Sequence, residues 1–251
     1  MINQERISSA TIAKSLQKKS TLSNQWQLRY TPVCGSTERK LSEWLEEKPL
    51  SNNQSRAFLA SRQISGVGQR GRFWESPRGG IWLSAAIPCL GRKQSPSLFG
   101  LAVAFALSQR LELKKIKTQI KWPNDLLFFG KKLAGFLPSL IYRGEYFRFA
   151  RVGVGLNVLN RTPVNGTSIS EIMGSKYLSI PDWSTEVLLS IELAKNLFDE
   201  DDLFYLEAEK LLWAKTVVDP KSGKEWEIDG LDNTGGLRLK LGNKKIVWNR
   251  F

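Results

Sequence analysis

Residues 121–135 read KWPNDLLFFGKKLAG. An apolar run, 126–129, meets Gly130, and a second apolar run begins at Leu133. That pattern predicts a hairpin with Lys131 and Lys132 just past its tip. The strand entering it, 116–121, ends on the polar corner Lys121-Trp122-Pro123-Asn124-Asp125. Working outward, alternating or continuous apolar runs predict strands at 26–30, 57–63, 81–88, 136–141 and 146–157. Helical spacing marks 37–47, 97–111, 184–198 and 203–213. Strands and helices mix without regular βαβ alternation, so the expectation is an α+β fold: a mixed, mainly antiparallel sheet flanked by helices. After Val217 short β-like runs alternate with Gly230, Gly235-Gly236 and Gly242, which predicts a small all-β unit over 217–251 leaning on the main domain, 26–216. Residues 1–25 read as an N-terminal arm holding one or two helical turns.

Composition narrows the chemistry. Histidine is absent, so no Ser-His or Cys-His nucleophile pair exists and a zinc site is disfavoured. Cys34 and Cys89 form no CxxC, which fits a reducing, cytoplasmic setting. No apolar run reaches the ~20 residues of a membrane span. The formal net charge is +13, scattered in pairs and triples. It reads either as a solubilising surface or as attraction for a polyanion such as a nucleotide or an acidic protein.

Four segments carry residues suited to chemistry. Residues 66–80, GVGQRGRFWESPRGG, combine five glycines with three arginines. They contain no GxxxxGK[ST], and no helical pattern follows Gly71, only Trp74-Glu75-Ser76-Pro77. The segment is a mobile surface loop or an anion-binding loop in which Arg70, Arg72 and Trp74 close over the ligand. In the hairpin, Lys121 and Lys132 are expected to face each other, either as a solvated cluster or over a reacting carboxylate and phosphate, with Asn124 and Asp125 positioning. In Gly153-Val154-Gly155-Leu156-Asn157 the glycines allow close packing or admit a flat ligand, with Asn157 at the strand end toward metal or phosphate. Ser36-Thr37, with Gln63, are a helix cap or contacts for a ligand's polar head.

In order and spacing these segments resemble the catalytic domain of the biotin–protein ligases (biotin–[acetyl-CoA-carboxylase] ligases). The resemblance covers about residues 26–251 and rests on Ser36-Thr37, 66–80, KWPND at 121–125, KLAG at 132–135 and Gly153–Asn157. It implies a fold related to class II aminoacyl-tRNA synthetases with a C-terminal SH3-like barrel. The implied activity is ATP- and Mg²⁺-dependent conversion of biotin to biotinyl-5′-AMP, then transfer to a lysine of a biotin carboxyl carrier protein. Lys132, Asp125 and Arg70 correspond to the catalytic groups. Ser36, Thr37, Gln63, Gly66, Val67, Gly68, Lys132, Gly135 and Gly153 correspond to the biotin site. Arg70, Arg72, Trp74, Lys121, Asn124 and Asn157 correspond to the ATP site, with Asn157 also toward the metal. The chain departs from the family pattern at Glu38, usually Asn, at Val67 and Gln69, usually Arg, and at Pro138-Ser139, where an acid is common. The arginine losses imply readier release of the adenylate. About 25 residues precede the matched region, which implies the enzyme-only form without a DNA-binding domain. A lipoate or octanoate ligase of the same fold and a nucleic-acid-binding module are the alternatives.

Overall fold

The computed structural model describes residues 7–20, 26–50, 54–89, 95–176 and 178–249. A seven-stranded sheet forms the centre, built from β1 (Trp26–Thr31), β2 (Ser55–Ala60), β5 (Ile81–Ile87), β6 (Gln119–Lys121), β7 (Asp125–Phe128), β8 (Lys131–Arg143) and β9 (Tyr146–Leu156). Its order is β1-β2-β5-β9-β8-β7-β6. Only the β1/β2 pair is parallel; every other neighbour pair runs antiparallel, as the lack of βαβ alternation predicts.

Strand periodicity divides the helices between the two faces. Ala57, Leu59, Ala85 and Ile87 point into the main core with α3 (Pro96–Glu112) and, beyond the short α4 (Ile169–Met173), α5 (Ile180–Glu200). Phe58 and Ala86, one residue out of step, pack with Leu41 and Trp44 of α2 (Thr37–Glu47) on the opposite face. α3 is apolar nearly all round because it lies beneath α5 and β8.

The N-terminal end differs from expectation, whereas the C-terminal end forms the small β unit expected there. Residues 1–6 and 21–25 of the predicted arm lie outside the described residues, but between them α1 (Ser9–Lys19) is a packed helix. Ser8 and Thr11 form its capping box, and Ile12 and Leu16 are fully buried in the main core. Lys19 reaches Glu186 of α5, which also pairs with Arg110 and Lys114. At the other end, β10 (Thr216–Val218), β11 (Glu225–Leu231), β12 (Leu237–Leu241) and β13 (Lys244–Trp248) make a four-stranded antiparallel sheet. Leu231, Leu237 and Leu239 join the main core, and Trp122 Nε1 donates to the Gly235 carbonyl at 2.9 Å. The small sheet therefore shares the larger unit's core.

The strand expected over 57–63 breaks at Ser61. β2 ends at Ala60, and β3 (Gln63–Val67) starts a separate hairpin with β4 (Phe73–Ser76), joined by a 3₁₀ turn at Gln69–Gly71. The glycine-rich segment is thus a two-stranded flap standing off the main sheet. Among the described residues no helix is long and apolar enough to cross a membrane.

Candidate active site

The flap lays one side chain on the main sheet. Gly135 of β8 pairs with Gly155 of β9, leaving a bare patch of backbone. The Trp74 indole lies on that patch. A Cβ added at Gly155 would come within 2.6 Å of the ring, and one at Gly135 within 2.7 Å. Gly66 pairs with Trp74 across the flap, where a Cβ would sit 2.4 Å from the Trp74 carbonyl oxygen. Of the two glycines expected to admit a flat ligand, Gly155 admits the ring of Trp74, whereas Gly153 faces Glu38.

Beside the ring, Lys132 Nζ lies 4.5 Å from the Trp74 ring centroid and 2.7 Å from Asp125 Oδ1. The expectation that Lys121 and Lys132 face each other is overturned. Lys121 is on β6 and Lys132 on β8, with β7 between them, because Lys121 pairs with Asp125 and Lys132 with Leu127. Lys121 leans over Trp213 at 5.7 Å. Two asparagines hold the Lys132 segment in place. Asn124 Nδ2 donates to the Phe136 carbonyl at 2.7 Å, and Phe136 N donates back to the Asn124 carbonyl. Asn157 Nδ2 faces the Lys132 carbonyl at 3.4 Å, and Asn157 Oδ1 accepts from Asn160 at 3.0 Å. The backbone of Lys132 is also bonded on both sides by the 165–167 loop, through Asn165 O and Thr167 N.

At the other end of the cleft, α2 begins. Ser36 occupies the cap position, but its hydroxyl caps nothing. The free amide of Thr37 donates instead to Gln63 Oε1 at 2.7 Å, which also accepts from the Thr37 hydroxyl at 3.0 Å. Gln63 Nε2 donates to Ser76 Oγ, and Thr37 Oγ1 bonds Ser84 Oγ at 2.8 Å. The expected cap is therefore supplied across the cleft by Gln63. Ser36 Oγ and Glu38 Oε1 are left buried without a hydrogen-bond partner. Such groups are costly unless something satisfies them.

Two cavities meet at Lys132. One, of about 220 Å³, runs from Ser36, Thr37, Glu38, Gln63 and Ser84 past Gly153 and Gly155 to Trp74, Asp125 and Lys132. The second, of about 590 Å³, is bordered by Lys121, Lys131, Asn157, Pro163, Val164 and Gly166, and again by Trp74, Asp125 and Lys132. Three lysines against Asp125 and Glu75 make the second cavity a place for an anion.

The predicted site residues fall accordingly. Ser36, Thr37, Gln63, Val67, Gly68, Gly135 and Gly153 line the first cavity, and Arg72 stands with them. Gly66 lies within the flap itself, on β3. Asn124 borders the first cavity, while Lys121 and Asn157 border the second. Arg70 is not brought to either. At φ 57° in the flap's turn it faces a separate hollow with Pro138 and Leu140. Sequence reasoning did not select Ser84 or the pair Glu38–Arg151. Arg151 Nη2 donates to Glu38 Oε2 at 2.8 Å across 113 positions, a separation that no local pattern signals. Among the described residues there is no cluster of three or more His, Cys, Asp or Glu side chains fit for a metal.

A mainly antiparallel sheet thus carries a flap and a lysine-centred double cavity, and the comparisons agree with that fold. Residues 31–157 match the Biotin/lipoate A/B protein ligase family, and the chain belongs to it. It is 32% identical to the bifunctional ligase/repressor BirA of Bacillus subtilis over 59% of this chain and 48% of that one. It is also 32% identical to BirA of Escherichia coli over 86% of this chain and 63% of that one. The chain thus spans about half the length of the Bacillus relative. A structure of the biotin protein ligase from Aquifex aeolicus, in complex with biotin and ATP, superposes with a TM-score of 0.72, covering 88% of this chain and 95% of that one. At 24% identity that likeness is one of fold.

Proposed function

We infer that the chain is an ATP-dependent biotin–protein ligase. The observation that carries this reading is Lys132, held by Asp125 where two cavities of different character meet. The narrower cavity suits an acyl chain with a polar head, its carboxylate ending at Lys132. The wider, lysine-rich one suits the triphosphate and adenosine of ATP. A biotin carboxylate oxygen attacks the α-phosphorus and pyrophosphate leaves, giving biotinyl-5′-AMP. The ε-amine of a carrier-protein lysine then attacks the acyl carbon, AMP departs, and an amide forms. Lys132 faces the charge that builds on the carboxylate and α-phosphate oxygens. Asp125, within 2.7 Å of Lys132, is placed to take the proton that the incoming amine loses. No covalent enzyme nucleophile is required, which agrees with a chain that has no histidine.

Mg²⁺ bound with ATP would neutralise phosphate charge, and the side-chain oxygens of Asp125 and Asn157 on the wider cavity are the ones that would help hold it. Asn157 braces the Lys132 strand, and its Oδ1, which accepts one hydrogen bond from Asn160, keeps a second lone pair that would serve the metal or a phosphate-bound water. The C-terminal sheet we read as the family's SH3-like cap, and the free thiols of Cys34 and Cys89 fit a cytoplasmic setting.

The test is a substrate panel. Biotin, lipoate and octanoate are each supplied with ATP and Mg²⁺, pyrophosphate is measured, and a biotin carboxyl carrier domain is weighed afterwards. Pyrophosphate release and a mass gain with biotin alone are expected. Preferential use of lipoate or octanoate would replace biotin ligation with lipoate or octanoate ligation, the other acyl class within the family description.

A further inference from the structure

At its end of the narrower cavity, α2 presents a carboxylate of which only one half is engaged. Glu38 Oε2 accepts from Arg151 Nη2 at 2.8 Å, and the same guanidinium nitrogen bonds the Glu38 carbonyl at 3.0 Å. Arg151 Nη1 holds Ser42 Oγ at 3.0 Å. The fork fixes the carboxylate from its outer side. Oε1 is turned inward, buried and without a partner. Gly153 keeps the approach open, since a Cβ there would lie 3.0 Å from Oε1. Next to it, Ser36 Oγ is buried and unpartnered too, while Thr37 and Gln63 are engaged with each other.

An ionised carboxylate only accepts hydrogen bonds. A ligand head that fits here must therefore bring a donor to Glu38. We propose that Glu38 is a specificity residue that accepts an N–H from the substrate's head group. It selects a ring bearing a urea-type N–H and rejects an acyl chain whose head has none. Arg151 is the positioning partner that aims Oε1 and balances its charge. Binding a donor-free head would leave Glu38 Oε1 dehydrated and without a donor, and discrimination is strongest in that situation. The inference rests on the biotin-ligase reading, and it concerns a position whose residue is this chain's own.

The experiment uses the full chain and two kinds of change. First, wild-type protein is titrated with biotin, with biotin methylated on each ureido nitrogen in turn, and with lipoate. One of the methylated forms is expected to bind about ten- to hundredfold more weakly than biotin, the span of one charge-assisted hydrogen bond. Second, Glu38→Gln turns its amide oxygen to Arg151 and its NH₂ to the cavity, placing donor against donor. The KM for biotin should rise about tenfold or more while kcat at saturation stays within about threefold, and the preference for biotin over lipoate should fall by the same factor. Glu38→Asp, which keeps the charge beside Arg151, guards against a folding artefact and should fall between the two, with a thermal transition near wild type. Unchanged biotin KM and unchanged selectivity in Glu38→Gln, or equal binding of all methylated forms, would overturn the proposal. If wild-type protein neither binds nor adenylates biotin, the ligase reading itself has failed, and that result is distinct from a biotin ligase indifferent to Glu38.

Discussion

Replacing Lys132 with alanine would remove the cation that, among the described residues, both cavities share, and the structure separates its two consequences. Lys132 is 34% exposed and Asp125 17%, so the pair is only partly screened. Truncation leaves the Asp125 carboxylate mostly buried without its counter-charge. After discounting for the open side of the pair, the cost is about 1–2 kcal/mol, or a fall in Tm of about 2–8 °C for a chain of this size. The chemical step loses more. One charge-stabilising donor at the reacting oxygens accounts for about 10²–10³ in rate. Initial rates of pyrophosphate release at saturating biotin and ATP, measured well below the melting transition, read the first step alone. Mixing preformed biotinyl-5′-AMP with the carrier domain reads the second, which should suffer less because the phosphoryl charge has already been handed over. Lys132→Arg keeps the charge but moves it, and should recover the stability and only part of the rate. Turnover of Lys132→Ala within about threefold of wild type would remove Lys132 from the mechanism.

Three further outcomes are expected. Gly155→Ala drives a methyl to 2.6 Å from the Trp74 indole, and overpacking of about 1–3 kcal/mol should unseat the ring and cut adenylation about tenfold or more, with circular dichroism unchanged; a normal rate would mean that the ring is not held as described. Gln69 presents a buried, unpartnered Nε2 to the narrower cavity, so Gln69→Arg should slow dissociation of labelled biotinyl-5′-AMP about tenfold, and an unaltered off-rate would count against a phosphate contact there. For Glu186, burial works to raise the pKa, but Arg110, Lys19 and Lys114 outweigh it and hold the carboxyl below its usual value. Its contribution is therefore present above the ordinary carboxylate range and is lost as pH falls through the lowered native value. Glu186→Gln should cost about 2 kcal/mol at pH 7 and progressively less toward pH 3, whereas a pH-independent difference in urea titrations would refute that linkage.

The fold was legible wherever apolar periodicity was strong. The 126–129 run and the 146–157 strand gave the antiparallel centre, and α2 began where Ser36-Thr37 placed it. Boundaries failed where the chain changes sheets. Nothing in the composition of residues 57–63 shows that Ala60 belongs to the main sheet and Gln63 to the flap. α1 was underrated because only Ile12 and Leu16 are apolar and buried, and the partner that makes them a core face is α5, some 170 residues away. In the site, the residue types were legible but their partners were not. Ser36 looked like a cap because serine commonly caps, yet Gln63 takes that role from across the cleft. Lys121 and Lys132 looked like a facing pair because hairpin spacing was counted along one turn, while the structure inserts β7 between their strands.

The bare backbone under Trp74 bears on how this protein should be interrogated. An alanine scan works by subtraction, and at Gly66, Gly135 and Gly155 there is nothing to subtract. A survey that deletes side chains would map the walls of the cleft and pass over its floor in silence. The complementary survey adds a methyl at each glycine in turn. It should show the tolerant positions at Gly68, where the nearest atom stands 3.4 Å from an added Cβ, and the intolerant ones where ring and backbone already touch. For this family, a catalogue of sensitive positions compiled only from truncations is systematically short of the residues whose task is to leave room.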